Sequence, residues 1–313
     1  MKKLLSICIL LSLFGCKKDG NPVTDYIVLG ITNNVYDVSP YIPFPVFDSI
    51  VSINLSDGSV SDIASVKSFS GLEDIIHETR SFNKNLYIYV NSKDIIGVID
   101  LANNKQQLIS IENDTLRNDV LSLKVDETDN MLYVVLIAYN NLNHKDSLGI
   151  IPISLNTMKV LPKVNFMSAS DMGSFCASDI NSQTKEIYLK SNQEDSLYIL
   201  NYRTNSFRTL LFDKILFDLH FNASRNSLFG SGFSQGKFRL FELSLSTGII
   251  NKIGDYTGIQ LLGSNGYYNK ENNAYWMVAV KDNSLKFQLI NIDISNAAII
   301  KSFPLKKQLQ YIN

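Results

Sequence analysis

Cysteine is almost missing from this 313-residue chain: Cys8, Cys16 and Cys176 are all there is. Two of the three fall within the first sixteen residues, so no cluster of cysteines can form a zinc site in the body of the protein. Cys176, between Phe175 and Ala177, reads as a small buried hydrophobe and not a nucleophile. Histidine is equally scarce, at His77, His144 and His220. His77 sits in His77-Glu78-Thr79-Arg80, which lacks the second histidine four residues on that a helical zinc motif needs. The sequence has no GxSxG elbow, no phosphate-binding P-loop and no glycine-rich dinucleotide signature. Charge of one sign is lacking too. Twenty-nine basic residues against 30 acidic ones give a net charge of −1, and without a basic footprint no nucleic-acid partner is expected. Helical 3.6-residue periodicity is almost nowhere sustained over three turns.

What the chain does have is β-branched and aromatic residues, with 15 Tyr and 17 Phe beside a single Trp. That composition favours strands, and the length suffices for one large domain or two small ones with a substantial core. The N-terminus stands apart. Lys2 and Lys3 precede an apolar run, Leu4 to Phe14, which has the length of a signal-peptide core and is too short to span a bilayer. The run ends in Leu13-Phe14-Gly15-Cys16, which resembles the lipobox of bacterial lipoproteins. The resemblance implies cleavage after Gly15 and acylation of the Cys16 thiol, making residues 1–15 a signal peptide and 16–24 a tether. Two or three acyl chains anchor a protein stably, whereas one does so only marginally. Lys17-Lys18-Asp19-Gly20-Asn21 resembles the segment behind the lipidated cysteine of Bacteroidetes-type surface lipoproteins, although only one acid follows the lysines. The implied address is the outer membrane, surface-exposed, with a periplasm-facing orientation as the alternative. With Cys8 removed and Cys16 lipidated, Cys176 has no disulfide partner.

Residues 25–313 carry a repeat. A strand runs into a polar turn at Ser49–Gly58, Gly97–Asn104, Gly149–Thr157, Leu197–Asn205, Phe238–Gly248 and Phe287–Asn296. The apolar residue at each turn is Leu55, Leu101, Leu155, Tyr202, Leu245 and Ile294, at intervals of 46, 54, 47, 43 and 49. Six units at this spacing predict an all-β, six-bladed β-propeller of four-stranded blades, with seven blades as the alternative. The first unit lacks an inner strand, because Tyr26–Ile31 already reads as its second. Leu309 to Asn313 looks like an inner strand with nothing after it, so the C-terminal strand is expected to complete blade one and close the ring. Leu86–Lys105 resembles the YVTN repeat of propeller proteins through Tyr89-Val90-Asn91 and Val98-Ile99-Asp100. At the place of Asp100 the other units have Asn54, Ser154, Asn201, Leu243 and Asp293.

In such a ring, the turns between strands one and two and between three and four share one face, here short and polar. The longer insertions, Asn33–Phe47 and Tyr139–Asp146, belong to the opposite face, where binding residues on a rigid scaffold are expected. The first holds Pro40, Pro43 and Pro45 with Tyr36, Tyr41 and Phe44, aromatics that prolines can present at low entropic cost. The second holds His144. Tyr36, Tyr41, Phe44 and His144 are therefore the candidate ligand-binding residues, and the leading reading is a lipid-anchored binding module. A small molecule, a glycan or an outer-membrane transporter is the implied partner. The alternative is a metal-dependent hydrolase. Asp218, His220 and Asn222 share one strand face by period two, and Asp218 and His220 could hold a cation in a central channel, opposed by Lys124. A scaffold without a small ligand is the third reading. An enzyme is the less favoured outcome and no cofactor is expected. Four Asp-Ser/Thr-hydrophobic triplets begin at Asp48, Asp114, Asp146 and Asp195 and resemble the O-glycosylation site of Bacteroidetes-type exported proteins. Asp-Ser is also ordinary turn chemistry.

Overall fold

The computed structural model describes residues 27–33, 49–65, 76–82, 85–90, 94–103, 105–111, 116–140, 147–168, 175–191, 196–212, 216, 218–255, 258–262, 266–270, 273–284, 286–305 and 308–312. Among the described residues there is no helix, only strands and their turns. They form six antiparallel sheets in chain order. The first contains β1 (Ile27–Asn33), β2 (Ser49–Asn54) and β3 (Val60–Ser65). The second is β4 (Ile76–Phe82), β5 (Asn85–Val90), β6 (Ile95–Asp100) and β7 (Lys105–Ser110). The third is β8 (Leu116–Asp126), β9 (Met131–Asn140) and β10 (Ser147–Ser154), with an outer strand split into β11 (Lys159–Val160) and β12 (Val164–Ser168). The split lies opposite Pro152, which has no N–H with which to continue the ladder.

The fourth sheet is β13 (Phe175–Asn181), β14 (Glu186–Ser191), β15 (Ser196–Asn201) and β16 (Ser206–Leu211). The fifth is β17 (His220–Asn222), β18 (Ser227–Ser234), β19 (Lys237–Ser244) and β20 (Ile250–Ile253). In the sixth, β21 (Ile259–Leu262) and β22 (Tyr267–Asn269) both pair with β23 (Ala274–Lys281), followed by β24 (Phe287–Asp293) and β25 (Ile299–Pro304). The last strand, β26 (Gln308–Ile312), returns to the first sheet and pairs antiparallel with β1, Gly30 opposite Ile312 and Ile31 opposite Tyr311.

Strand alternation makes each sheet two-faced, and both faces are apolar. On β9, Leu132, Val134, Leu136 and Ala138 pack toward the second sheet with Tyr87, Ile96 and Val98. The intervening Tyr133 and Val135 pack toward the fourth sheet with Ile187, Leu189 and Tyr198. The pattern continues around the molecule. Tyr188, Leu197 and Ile199 meet Phe221, Leu228 and Phe241 of the fifth sheet. Phe229, Phe238 and Leu240 meet Tyr275, Met277 and Ile290 of the sixth. Trp276, Val278 and Leu289 of the sixth sheet then pack on Val51, Ile53 and Leu55 of the first. The last sheet thus rests on the first, the arrangement of a β-propeller. Each fully buried Leu, Ile or Phe in these seams contributes about 1.5–3 kcal/mol.

The turns explain the sequence repeat. Asn54, Asp100, Asn201 and Asp293 each end a third strand, and each accepts through Oδ1 the N–H two residues on, at 2.8, 2.9, 3.1 and 2.8 Å. Asp126, Asn181 and Asn222 do the same at the end of a first strand, at 2.9, 3.0 and 3.1 Å. Four residues beyond the first position the backbone turns left-handed, as at Gly58, Asn130, Lys185, Asn205, Asn226 and Ala297. An Asx turn closed by a positive-φ residue is therefore the recurring device. In the fifth sheet this place belongs to Ser244, whose N–H donates to the Ile249 carbonyl, and not to Leu243 as the sequence alignment had it.

Candidate functional site

Two polar clusters are built into the seams between sheets. The first joins the third and fourth sheets. Asp126, whose side chain is 0% exposed, accepts hydrogen bonds from Lys185 Nζ at 2.8 Å, Tyr202 Oη at 2.7 Å and Thr128 Oγ1 at 2.6 Å. Lys185 also pairs with Asp129 at 2.7 Å. Burial alone would raise the Asp126 pKa, but the hydrogen bonds from Lys185, Thr128 and Tyr202 outweigh it and hold the carboxyl well below the usual range. The Tyr202 phenol is pushed up by burial and then by its bond to Asp126. Its ring lies 4.3 Å from that of Tyr133, centroid to centroid. Along β8, Ser122, Lys124 and Asp126 share one face, and Ser122 Oγ lies 2.7 Å from Ser178 Oγ of β13. Lys124, expected to line an open channel, is buried.

The second cluster joins the fifth and sixth sheets and contains Asp218 and His220. Asp218 is buried. Its Oδ1 accepts the Ser231 N–H at 2.6 Å and the Ser231 hydroxyl. Its Oδ2 accepts the Tyr275 hydroxyl and faces His220 Nε2 at 3.4 Å. Burial pushes the Asp218 pKa up; the hydrogen bond and charge of His220, with the bonds from Ser231 and Tyr275, bring it down to about 2. Tyr275 is raised well above its ordinary value by burial and by the Asp218 charge. Rings of Phe229 and Tyr275 stand 5.2 Å from the His220 ring. Two glycines make room: a Cβ on Gly230 would lie 2.2 Å from the Asp218 carbonyl, and one on Gly266 would lie 2.0 Å from the Tyr275 ring. Asp179 of β13 reaches across to accept the Phe221 N–H, tying the fourth sheet to the fifth.

The structure therefore brings Asp218 and His220 together, on a face turned into the seam with the sixth sheet and not onto an open channel wall. The reason is the partner set: both carboxylate oxygens are already engaged by Ser231, Tyr275 and His220. Asn222, on the same face, spends its Oδ1 on the Ser224 N–H and hydroxyl. Among the described residues no group of three His, Cys, Asp or Glu side chains could hold a metal ion. Ser231, Tyr275 and Lys185 escaped the sequence reading, which had Tyr202 only as a turn residue of the repeat. Cys16, Tyr36, Tyr41, Phe44 and His144 lie outside the described residues, as do the boundaries of the signal peptide and tether. Of the Asp-Ser/Thr triplets, Ser196 is buried, whereas Ser147 is half-buried with its Oγ 3.5 Å from Asn165 Oδ1.

No protein-family model matches the sequence, and no curated protein does. In three dimensions the chain is similar to TolB from Acinetobacter baumannii, at 12% identity and a TM-score of 0.60, over 91% of this chain and 66% of that one. It is similar to a protein of unknown function from Bacteroides caccae, at 12% identity and a TM-score of 0.58, over 91% and 97%. A chain from a nidogen–laminin complex matches at 11% identity and a TM-score of 0.57, over 91% and 96%. At such identities the likeness shows the fold alone, and the fold is a β-propeller.

Proposed function

We propose that the chain is a lipid-anchored propeller of the outer membrane or cell surface, whose loop-bearing face captures a ligand or a protein partner. The ring in this reading has six blades and is closed by β26, in keeping with six sheets and the packing of the sixth on the first. One observation carries the reading. Three carboxylates on or beside the inner strands, Asp126, Asp179 and Asp218, are spent on holding neighbouring sheets together. Substrate chemistry at Asp218 would require it to give up Tyr275 or Ser231, which is why the metal-dependent hydrolase is the weaker reading. Recognition is then left to the insertions at 33–47 and 139–146, with Tyr36, Tyr41, Phe44 and His144 as contacts. The nidogen–laminin complex offers a parallel, a similar fold in a protein assembly. The partner class is a small molecule, a glycan or an outer-membrane transporter, and Cys16 carries the acyl chains.

The test replaces Tyr36, Tyr41 and Phe44 together by Ala and compares binding to a glycan array and to solubilised outer-membrane proteins. Aromatic anchors cost about 2 kcal/mol or more on truncation, so binding should fall at least about tenfold with the melting temperature retained. A destabilised variant with binding intact would show that the loop caps its blade instead. For the anchor, Cys16→Ser should abolish incorporation of labelled fatty acid; a variant still labelled and membrane-bound sinks the lipobox assignment.

A further inference from the structure

The outer edges of the sheets are not alike. Those of the first and sixth sheets, β3 and β25, are interrupted by register shifts. That of the third is split, and β20 is only 4 residues long. Bulges, breaks and short lengths are how proteins keep edges from pairing with other chains. β7 and β16 alone run six residues in unbroken register. β7 is mostly polar, Lys-Gln-Gln-Leu-Ile-Ser. β16, Ser-Phe-Arg-Thr-Leu-Leu, is exposed at five of its six positions, with Phe207 44% and Leu211 75% exposed. Its one charge, Arg208, is turned back toward Glu186 of its own sheet at 3.6 Å. Gly248, in the neighbouring turn of the fifth sheet, lies close beside the Leu211 carbonyl; a Cβ there would stand 2.8 Å from it.

The direction of the free backbone groups follows from the turn. In the equivalent turns the closing pair is hydrogen-bonded, Asn54 N–H to Ser59 O and Ser244 N–H to Ile249 O, and Asn201 with Ser206 holds the same place. Alternation then points the N–H and C=O of Phe207, Thr209 and Leu211 away from β15. Among the described residues no strand pairs with that side of β16, and an antiparallel copy offers matching groups. Centring the pair on Thr209 places Phe207 opposite Leu211 twice, on the same face as a Thr–Thr pair, all favourable cross-strand combinations. Sliding the copy by one such step, so that Phe207 faces Thr209, sets Arg208 directly against its own copy, a like-charge clash.

From this self-complementarity we infer that β16 is a homodimerisation edge, two copies of the chain joining β16 to β16 antiparallel about a two-fold axis at Thr209. The occupant is a second copy because the strand's free donors, acceptors and exposed apolar side chains complement one another in that register.

The full chain carrying Cys176→Ala and Thr209→Cys should be captured as a covalent dimer by a short bismaleimide. The same chain with Leu108→Cys, on the comparably exposed β7 edge, should give at least about tenfold less. Thr209→Pro removes an N–H that points away from β15, so it should abolish dimers while leaving the melting curve in place. Register is tested separately. A Phe207→Glu, Leu211→Glu chain and a Phe207→Lys, Leu211→Lys chain should each be monomeric in sedimentation and dimerise when mixed. Equal capture at Leu108→Cys, dimers that survive Thr209→Pro, or no association in the mixture would each overturn the assignment.

Discussion

Replacing Asp218 by Asn keeps the shape of the side chain and removes its charge from a site enclosed by Ser231, Tyr275 and His220. The carboxyl falls from an ordinary 3.8 to about 2 in the folded protein, which at ~1.36 kcal/mol per tenfold step corresponds to about 2 kcal/mol of stability. Because the folded value is the lower one, that contribution is complete above about pH 4 and disappears as the pH falls through about 2. Asn also has only one acceptor. The Ser231 N–H is fixed and claims it, so the amide nitrogen is left facing Tyr275 and His220. Asp218→Asn should therefore cost about 2–3 kcal/mol at neutral pH and lower the melting temperature by about 3–5 °C. Urea unfolding can be followed through Trp276, the sole tryptophan, which is 3% exposed in the seam between the sixth and first sheets. The two proteins should converge in stability between pH 4 and pH 2. A variant within about 0.5 kcal/mol of the native chain, with parallel pH profiles, would refute the assignment of Asp218 as the charged clasp of this seam.

The Asp126 cluster predicts a sharper loss on breaking than on replacement. Lys185→Met strands a carboxylate with a 0% exposed side chain and should cost about 3 kcal/mol, while adding Asp126→Asn to it should recover part; a larger loss in the double variant would contradict the pairing. Asp126 is also held below its usual range, so its share of stability is present at neutral pH and fades in acid. Deleting Leu309–Asn313 removes the β26 partner of β1 and leaves its backbone groups without a ladder; the unfolding midpoint should drop and Trp276 emission shift to the red. A truncated chain that unfolds with the full-length one would exclude the clasp.

Local chemistry made much of this architecture readable. Leu55, Leu101, Leu155, Tyr202, Leu245 and Ile294 all prove to be the second residue of the five-residue Asx-type turn, and a turn advertises itself in five consecutive letters. The C-terminal strand was legible because an unmatched inner strand and an incomplete first unit point to each other. The clusters were not legible, since their partners are far apart in the chain: Asp126 meets Lys185 and Tyr202, and Asp218 meets Tyr275, through packing of different sheets. Period two assigned the Asp218–His220–Asn222 face correctly as shared, but it could not say whether that face looked at water or at the next sheet. Lys124 makes the same point, a charged residue on an inner strand that is nonetheless buried.

The position of β1 has a mechanical meaning. It is not an edge but an interior strand, held by β26 on one side and β2 on the other. A pull applied to the chain ahead of Ile27 therefore loads two ladders along their length, so that several hydrogen bonds must fail together. An edge strand under the same pull would unzip one bond at a time. If the segment ahead of Ile27 is a membrane tether, drag on a bound partner reaches the propeller at a strand laddered on both sides. Force spectroscopy from an N-terminal handle should find a high rupture barrier there that disappears when residues 309–313 are removed.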